Sequence, residues 1–202
     1  MVVDDWKEFI QLALNFAGHG YLEYSSFIIP EQKVEKAQRI DMKIQAKFPE
    51  TGYDKDRRYR NKKAGQANLS YLRWRNIGLI LRTEGEVNGR FDEEKFVRFD
   101  EEPFVFAVGS MIEIKIAKAR AGRKYTAYLS KQSFRAIKAI LRDNLRHRRR
   151  DVAEAYWERL KGLPAFSGIL GQMRELTVWI KIETKLAGLK KWTGNHLVLR
   201  PL

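Results

Sequence analysis

Apolar residues recur at intervals of three and four in five parts of the chain, which is the pattern of a helix with one buried face. Aspartate or serine stands at the start of four of these runs, where a short polar side chain can accept hydrogen bonds from the first turn. Three of the five runs follow one another at the C-terminal end. The five predicted helices follow Asp4 or Asp5, cover residues 31–48, and begin at Ser130, Asp151 and Ser167.

Runs rich in aromatic and β-branched residues predict strands between these helices. The last two strands are joined by the turn Ala121–Arg123 and form a predicted hairpin. We therefore expect an α+β fold, with an antiparallel or mixed sheet, flanking helices and a mainly helical C-terminal third. The predicted strands cover residues 21–29, 69–83, 104–108, 111–117 and 124–129, with a terminal candidate at 196–199.

The order of elements suggests two parts. Residues 1–130 form a predicted α+β core that includes a basic loop at 49–68 and the basic hairpin. Residues 131–202 form a mainly helical segment that packs on the same core, and a single domain is the alternative to two. A loop of the length of 49–68 is unusual in a compact domain, so we expect a functional or disordered segment there.

Composition narrows the classes of protein and site. The 202 residues include no cysteine, which excludes disulfides and thiolate metal sites and is typical of a cytoplasmic protein. No apolar run approaches the length of a membrane span. The three histidines lie far apart, without the spacing of a zinc site, so we predict no resident metal or cofactor.

Positive charge is concentrated in two segments. The net charge is +14, and residues 115–150 hold thirteen Lys and Arg against one acid. Residues 55–75 hold eight against one, and across 53–75 the cations are interleaved with Tyr53, Tyr59, Tyr71 and Trp74. Like charges repel in a compact protein, so a polyanionic partner is expected, and cations with aromatic rings suit phosphates and unpaired bases. We predict binding to DNA or RNA.

The helix that follows Ser130 carries five cations at intervals of four, three, four and four residues. This spacing places them on one face, about 22 Å long, opposite the apolar stripe. The sequence of the helix supplies few acids to balance them. The predicted nucleic-acid contacts are Arg57, Arg58, Arg60, Lys62, Lys63, Arg73, Arg75, Arg123, Lys124, Lys131, Arg135, Lys138, Arg142, Arg146 and Arg149.

Two alternatives remain. Glu113 and Lys115 match the second half of the pattern Asp…Glu-x-Lys of metal-dependent nucleases, and Asp100 lies upstream. In that chemistry carboxylates hold Mg²⁺ and the lysine helps to activate water, so Mg²⁺ is expected only under this alternative. The pattern is short, and we expect binding rather than catalysis. The other alternative is an assembly protein whose basic faces meet an acidic partner or a membrane surface.

Overall fold

The chain folds into two compact units with different arrangements of helix and strand. Their combination of a mixed sheet, a second sheet and a mainly helical C-terminal part confirms the α+β prediction. The predicted boundary at residue 130 remains a prediction. The computed structural model describes residues 1–87, 94–119 and 124–192. The first unit comprises Met1–Phe104 and Arg120–Tyr125, and the second comprises Val105–Ala119 and Thr126–Leu202.

A five-stranded sheet forms the centre of the first unit. Its order is β1–β3–β4–β2–β5; β1 runs parallel to β3, and the β3–β4, β4–β2 and β2–β5 pairs are antiparallel. Every residue of β3 is buried, because this strand lies inside the sheet. The strands are β1 (Val2–Val3), β2 (Glu23–Ile28), β3 (Leu69–Trp74), β4 (Ile77–Arg82) and β5 (Val97–Arg98).

The single strand predicted for residues 69–83 is a hairpin. The turn between β3 and β4 consists of Arg75 and Asn76, and Arg75 has φ of +50°, a left-handed conformation. Asn76 is a common turn residue, but Arg75–Asn76 is not one of the glycine-containing pairs that mark a hairpin strongly, so the turn was not predicted.

Three α-helices accompany the sheet: α1 (Trp6–Gly18), α2 (Ala37–Lys47) and α3 (Lys55–Lys63). Asp5 caps α1 by accepting from the backbone N–H of Lys7. The helix predicted for 31–48 is divided, since Glu31–Lys36 forms a 3-10 helix before α2 begins. The prediction of a basic loop at 49–68 is wrong, because Pro49–Gly52 is a 3-10 helix and α3 follows it.

The second unit combines a three-stranded sheet with three helices. The sheet order is β6–β7–β8, and α4 contacts β7, α5 and α6. Ser130 caps α4 as predicted, since its side chain accepts from the N–H of Ser133. In the described part of the chain we find no helix with the combined length and hydrophobicity that a membrane span requires. The elements are β6 (Phe104–Val108), β7 (Ile112–Lys118), β8 (Tyr125–Leu129), α4 (Lys131–Arg146), α5 (Arg150–Leu160) and α6 (Ser167–Leu186).

Two predictions fall outside the described residues. One is the turn Ala121–Arg123, together with the predicted contact Arg123, and the other is the terminal strand at 196–199. The neighbouring Lys124 is exposed immediately before β8.

Candidate nucleic-acid interface

The hydrogen bonds at its two ends, and not a buried apolar face, explain why α3 forms. The carboxylate of Asp54 accepts from the N–H of Arg57 at 2.7 Å, which caps the first turn. At the other end Gly65 adopts φ of +73°, and the N–H of Gln66 donates to the carbonyl of Asn61. This is the Schellman arrangement, in which a left-handed residue closes the last turn. No residue of α3 is buried.

The charge on α3 is almost all positive. Lysine or arginine occupies six of its nine positions, with Asp56 as the single acid. In the described part of the chain none of the six forms an ion pair with a carboxylate. Cations three and four residues apart on a helix repel one another, so α3 forms against its own electrostatic preference. The six are Lys55, Arg57, Arg58, Arg60, Lys62 and Lys63.

Two of these cations have side-chain contacts within the protein. The guanidinium of Arg57 lies 3.8 Å from the ring centre of Tyr53. Arg58 is half-buried, and its Nη2 donates weakly to the carbonyl of Thr51 at 3.4 Å. The remaining predicted contacts on the helix, Arg60, Lys62 and Lys63, are exposed.

The aromatic residues of this segment divide into two groups. Tyr59 is 67% exposed on α3, and Lys55, Lys62 and Lys63 stand one turn away on the same helix. Tyr71 and Trp74 are buried core residues on β3, so neither ring is accessible to a nucleic-acid base. Tyr59 is therefore the exposed aromatic side chain next to the cations of α3.

Arg73 is also a buried residue. Its guanidinium donates to both carboxylate oxygens of Asp41, and Tyr71 donates to the same carboxylate. Burial alone would raise the pKa of Asp41, but these hydrogen bonds and the charge of Arg73 hold it below its ordinary value. This ion pair corrects the prediction that Arg73 contacts nucleic acid, because the side chain is buried and paired with Asp41. Arg75 is exposed beyond it, 5.1 Å from the ring centre of Trp74.

The cationic face of α4 is partly neutralised. Nζ of Lys138 lies 2.7 Å from Oε1 of Glu175, and Nη2 of Arg142 lies 2.8 Å from Oε1 of Glu183, both acids being on α6. The hydrogen bonds from Arg142 hold the pKa of Glu183 below its ordinary value. Acids distant in sequence therefore balance two of the five predicted contacts. Lys131, Arg135 and Arg146 are exposed and form no ion pair with a described residue.

The basic run between α4 and α5 forms a tight corner. Arg148 adopts φ of +57°, and the N–H of Arg149 donates to the carbonyl of Asn144 at 2.8 Å. This is the arrangement that ends α3, with arginine in the position of Gly65. The side chain of Arg149, a predicted contact, pairs with Asp143. Arg148 is exposed at the corner.

The residues of the nuclease alternative have structural partners. Asp100 pairs with Arg98 at 3.1 Å in the first unit. In the second unit Glu113 accepts a hydrogen bond from the capping hydroxyl of Ser130 at 2.9 Å, and Lys115 lies over the ring of Tyr128. Among residues 1–87, 94–119 and 124–192, no three His, Asp or Glu side chains cluster as metal ligands.

A polar pocket of about 260 Å³ in the first unit was not foreseen from the sequence. It is lined by Glu50, Tyr53, Arg57, Asn61, Gln66, Ala67, Leu69, Glu86 and Val87. Oε2 of Glu50 is buried and has no hydrogen-bond partner within the described chain. A single glutamate after a proline carries no motif, so the sequence offered no signal for this site.

Comparison of the chain with protein-family models, with curated proteins and with solved structures finds no significant match.

Proposed function

We propose that the protein binds nucleic acid through the phosphate backbone, with α3 as the principal contact. The observation that carries the proposal is that α3 collects six cations on nine residues with no ion-pair partner in the described part of the chain. A row of phosphates supplies negative charge at several points along such a helix and relieves its repulsion. The exposed ring of Tyr59 adds a stacking surface for an unpaired base.

A second set of cations supports the proposal from the other unit. Lys131, Arg135 and Arg146 remain exposed on α4 after Lys138 and Arg142 are neutralised by α6. We propose that these three also contact phosphate groups. Electrostatic contacts of this kind favour binding to many sequences, since phosphates carry no base identity.

Charge reversal tests the role of α3. Arg60→Glu combined with Lys63→Glu is expected to weaken binding of a fluorescent 30-nucleotide single strand by at least tenfold, measured by anisotropy at 100 mM salt. The melting temperature should stay close to that of the wild type, because both side chains are exposed. Arg39→Glu with Lys43→Glu on α2 is the matched control, since these exposed residues give the same change in net charge. Equal losses in the two double variants would show that total charge alone governs binding.

The same assay tests α4 and separates the partners. Arg135→Glu with Arg146→Glu should weaken binding, and an affinity equal to that of the wild type would remove α4 from the surface. Vesicles with anionic lipid serve as the competing polyanion. Binding to vesicles but to no oligonucleotide would favour the membrane alternative over nucleic acid.

A further inference from the structure

The polar pocket beside α3 has the composition of a site for a flat, polar ligand. Ala67, Leu69 and Val87 contribute apolar surface, and the other lining side chains carry hydrogen-bonding groups. The pocket shares Arg57 and Asn61 with the cationic helix, so a ligand there lies next to the proposed phosphate contacts. The hydrogen-bonding residues are Glu50, Tyr53, Arg57, Asn61, Gln66 and Glu86.

A planar group already lies over an aromatic ring at this pocket. The guanidinium carbon of Arg57 lies 3.8 Å from the ring centre of Tyr53, and the arginine is exposed. An aromatic ring beneath a guanidinium fixes its plane, and unpaired bases stack on guanidinium planes of this kind. The pair therefore provides a preformed platform for a base.

The unpartnered oxygen of Glu50 indicates what the ligand must offer. Oε2 of this carboxylate is buried, and no described residue donates to it. A buried acceptor without a donor is unfavourable, and more so when it is charged. A ligand that brings N–H donors to Glu50 removes this cost once the carboxylate turns to open Oε2 to the pocket, whereas a ligand with acceptors alone does not.

Among the bases, guanine fits these groups best. It carries two adjacent donors, N1–H and the 2-amino group, which one carboxylate can accept together. Its O6 and N7 are acceptors that suit the amide N–H groups of Gln66 and the one N–H of Asn61 that does not donate to Asn68. Adenine and cytosine present a single exocyclic amine, and thymine or uracil a single ring N–H.

We propose that this pocket receives an unpaired guanine base from a nucleic acid whose phosphates lie along α3. Glu50 accepts from the guanine N1–H and 2-amino group, and Arg57 stacks on the ring. The inference rests on the proposed function and adds base preference to it. It restricts the preferred partner to single-stranded segments, because these edges are engaged within a duplex.

Oligonucleotides that differ at one base test the pocket. A labelled 15-nucleotide thymidine strand carries dG, deoxyinosine or dA at its centre, and deoxyinosine lacks only the 2-amino group. We expect the dG strand to bind about tenfold more tightly than the dA strand, as for one bidentate contact, with deoxyinosine between them. Glu50→Gln should bring the ratio of dG to dA affinities close to one. Glu35→Gln, an exposed carboxylate in the same unit, should keep the wild-type ratio.

The outcomes separate the pocket from the backbone contacts. If the wild type binds in a salt-dependent way but binds the dG and dA strands equally, the guanine site is refuted and the proposed function stands. If the wild type binds no strand, both are refuted. A ratio that survives in folded Glu50→Gln also overturns the site. If this variant does not fold, NMR of the wild type decides. The side-chain amides of Asn61 and Gln66 should shift with the dG strand and not with the dA strand, and no difference between the strands overturns the proposal.

Discussion

The carboxylate of Asp41 and the guanidinium of Arg73 form a two-point ion pair inside the first unit, with N–O distances of 2.7 and 2.8 Å. The pair joins α2 to β3, and each residue is 8% exposed. The hydroxyl of Tyr71 donates to the same carboxylate at 2.7 Å. The pair therefore fixes the position of α2 on the sheet.

Removing one partner should be costly. Asp41→Ala leaves the Arg73 charge buried without its carboxylate, and we expect a loss of about 3 kcal/mol in the free energy of unfolding, measured with urea. The double variant Asp41→Leu with Arg73→Met should recover part of that loss, because it also removes the buried guanidinium. A single variant as stable as the wild type would contradict this role.

The same pair predicts how stability depends on pH. The pKa of Asp41 lies below its ordinary value in the folded protein, so the folded state favours the carboxylate. Its contribution is complete above the unfolded pKa of about 3.9 and is lost as the pH falls through the lower folded pKa. In urea titrations at several pH values, Asp41→Asn should reduce the fall in the free energy of unfolding at low pH. If the fall is unchanged in this variant, other groups cause it.

Two glycines on α6 provide a matched test of packing in the second unit. A Cβ on Gly168 would meet the Ala127 carbonyl and the Tyr128 ring of β8, whereas one on Gly171 meets nothing. Gly168→Ala should cost about 1–3 kcal/mol through overpacking, and Gly171→Ala should add up to about 1 kcal/mol through helix propensity. Thermal unfolding of both variants gives the comparison, and shifts of the same sign would contradict the packing of α6 on β8.

Because Arg148 has a left-handed conformation, replacing it with glycine should affect stability and binding in opposite directions. Arg148→Gly should raise the free energy of unfolding by about 1 kcal/mol, because glycine adopts φ of +57° without steric cost. If the exposed charge contacts a phosphate, the same change should reduce the slope of log affinity against log salt by about one. Arg148→Lys should retain the slope. A glycine variant with unchanged binding shows that this charge is not used.

The nuclease alternative has a direct test. We expect the wild type not to cleave single strands, duplexes or RNA with Mg²⁺ or Mn²⁺, because the match to the nuclease pattern is short. Glu113→Ala should instead lower stability by about 1 kcal/mol, since the Ser130 hydroxyl loses its acceptor. Reproducible cleavage by the wild type that Glu113→Ala abolishes would overturn the expectation.

Apolar periodicity predicted the fold class and the helices with a buried face, because burial imposes that pattern locally. It missed α3, since a helix without buried residues has no such pattern, although Asp54 and Gly65 were its capping signals. The face of α4 was predicted in outline, but Lys138 and Arg142 meet acids 37 and 41 residues away. Pairing across such distances depends on packing.

The burial of Arg73 and the polar pocket could not be predicted from the sequence for the same reason. Arg73 resembled the other cations of its segment, and only the position of Asp41 distinguishes it. Glu50 and Gln66 are 16 positions apart and lie together only after α3 and β3 have formed. Spacing along the chain does not encode this kind of proximity.

The dependence of oligonucleotide affinity on salt tests the central claim most directly. Anisotropy titrations of a 30-nucleotide single strand and of its duplex should be made between 50 and 200 mM salt. With about six to eight phosphates contacted, duplex affinity should fall by about three to four orders of magnitude, and the single strand should also lose affinity steeply. The Arg60→Glu, Lys63→Glu variant should show a shallower slope. A nearly flat plot of log affinity against log salt for the wild type would contradict the account.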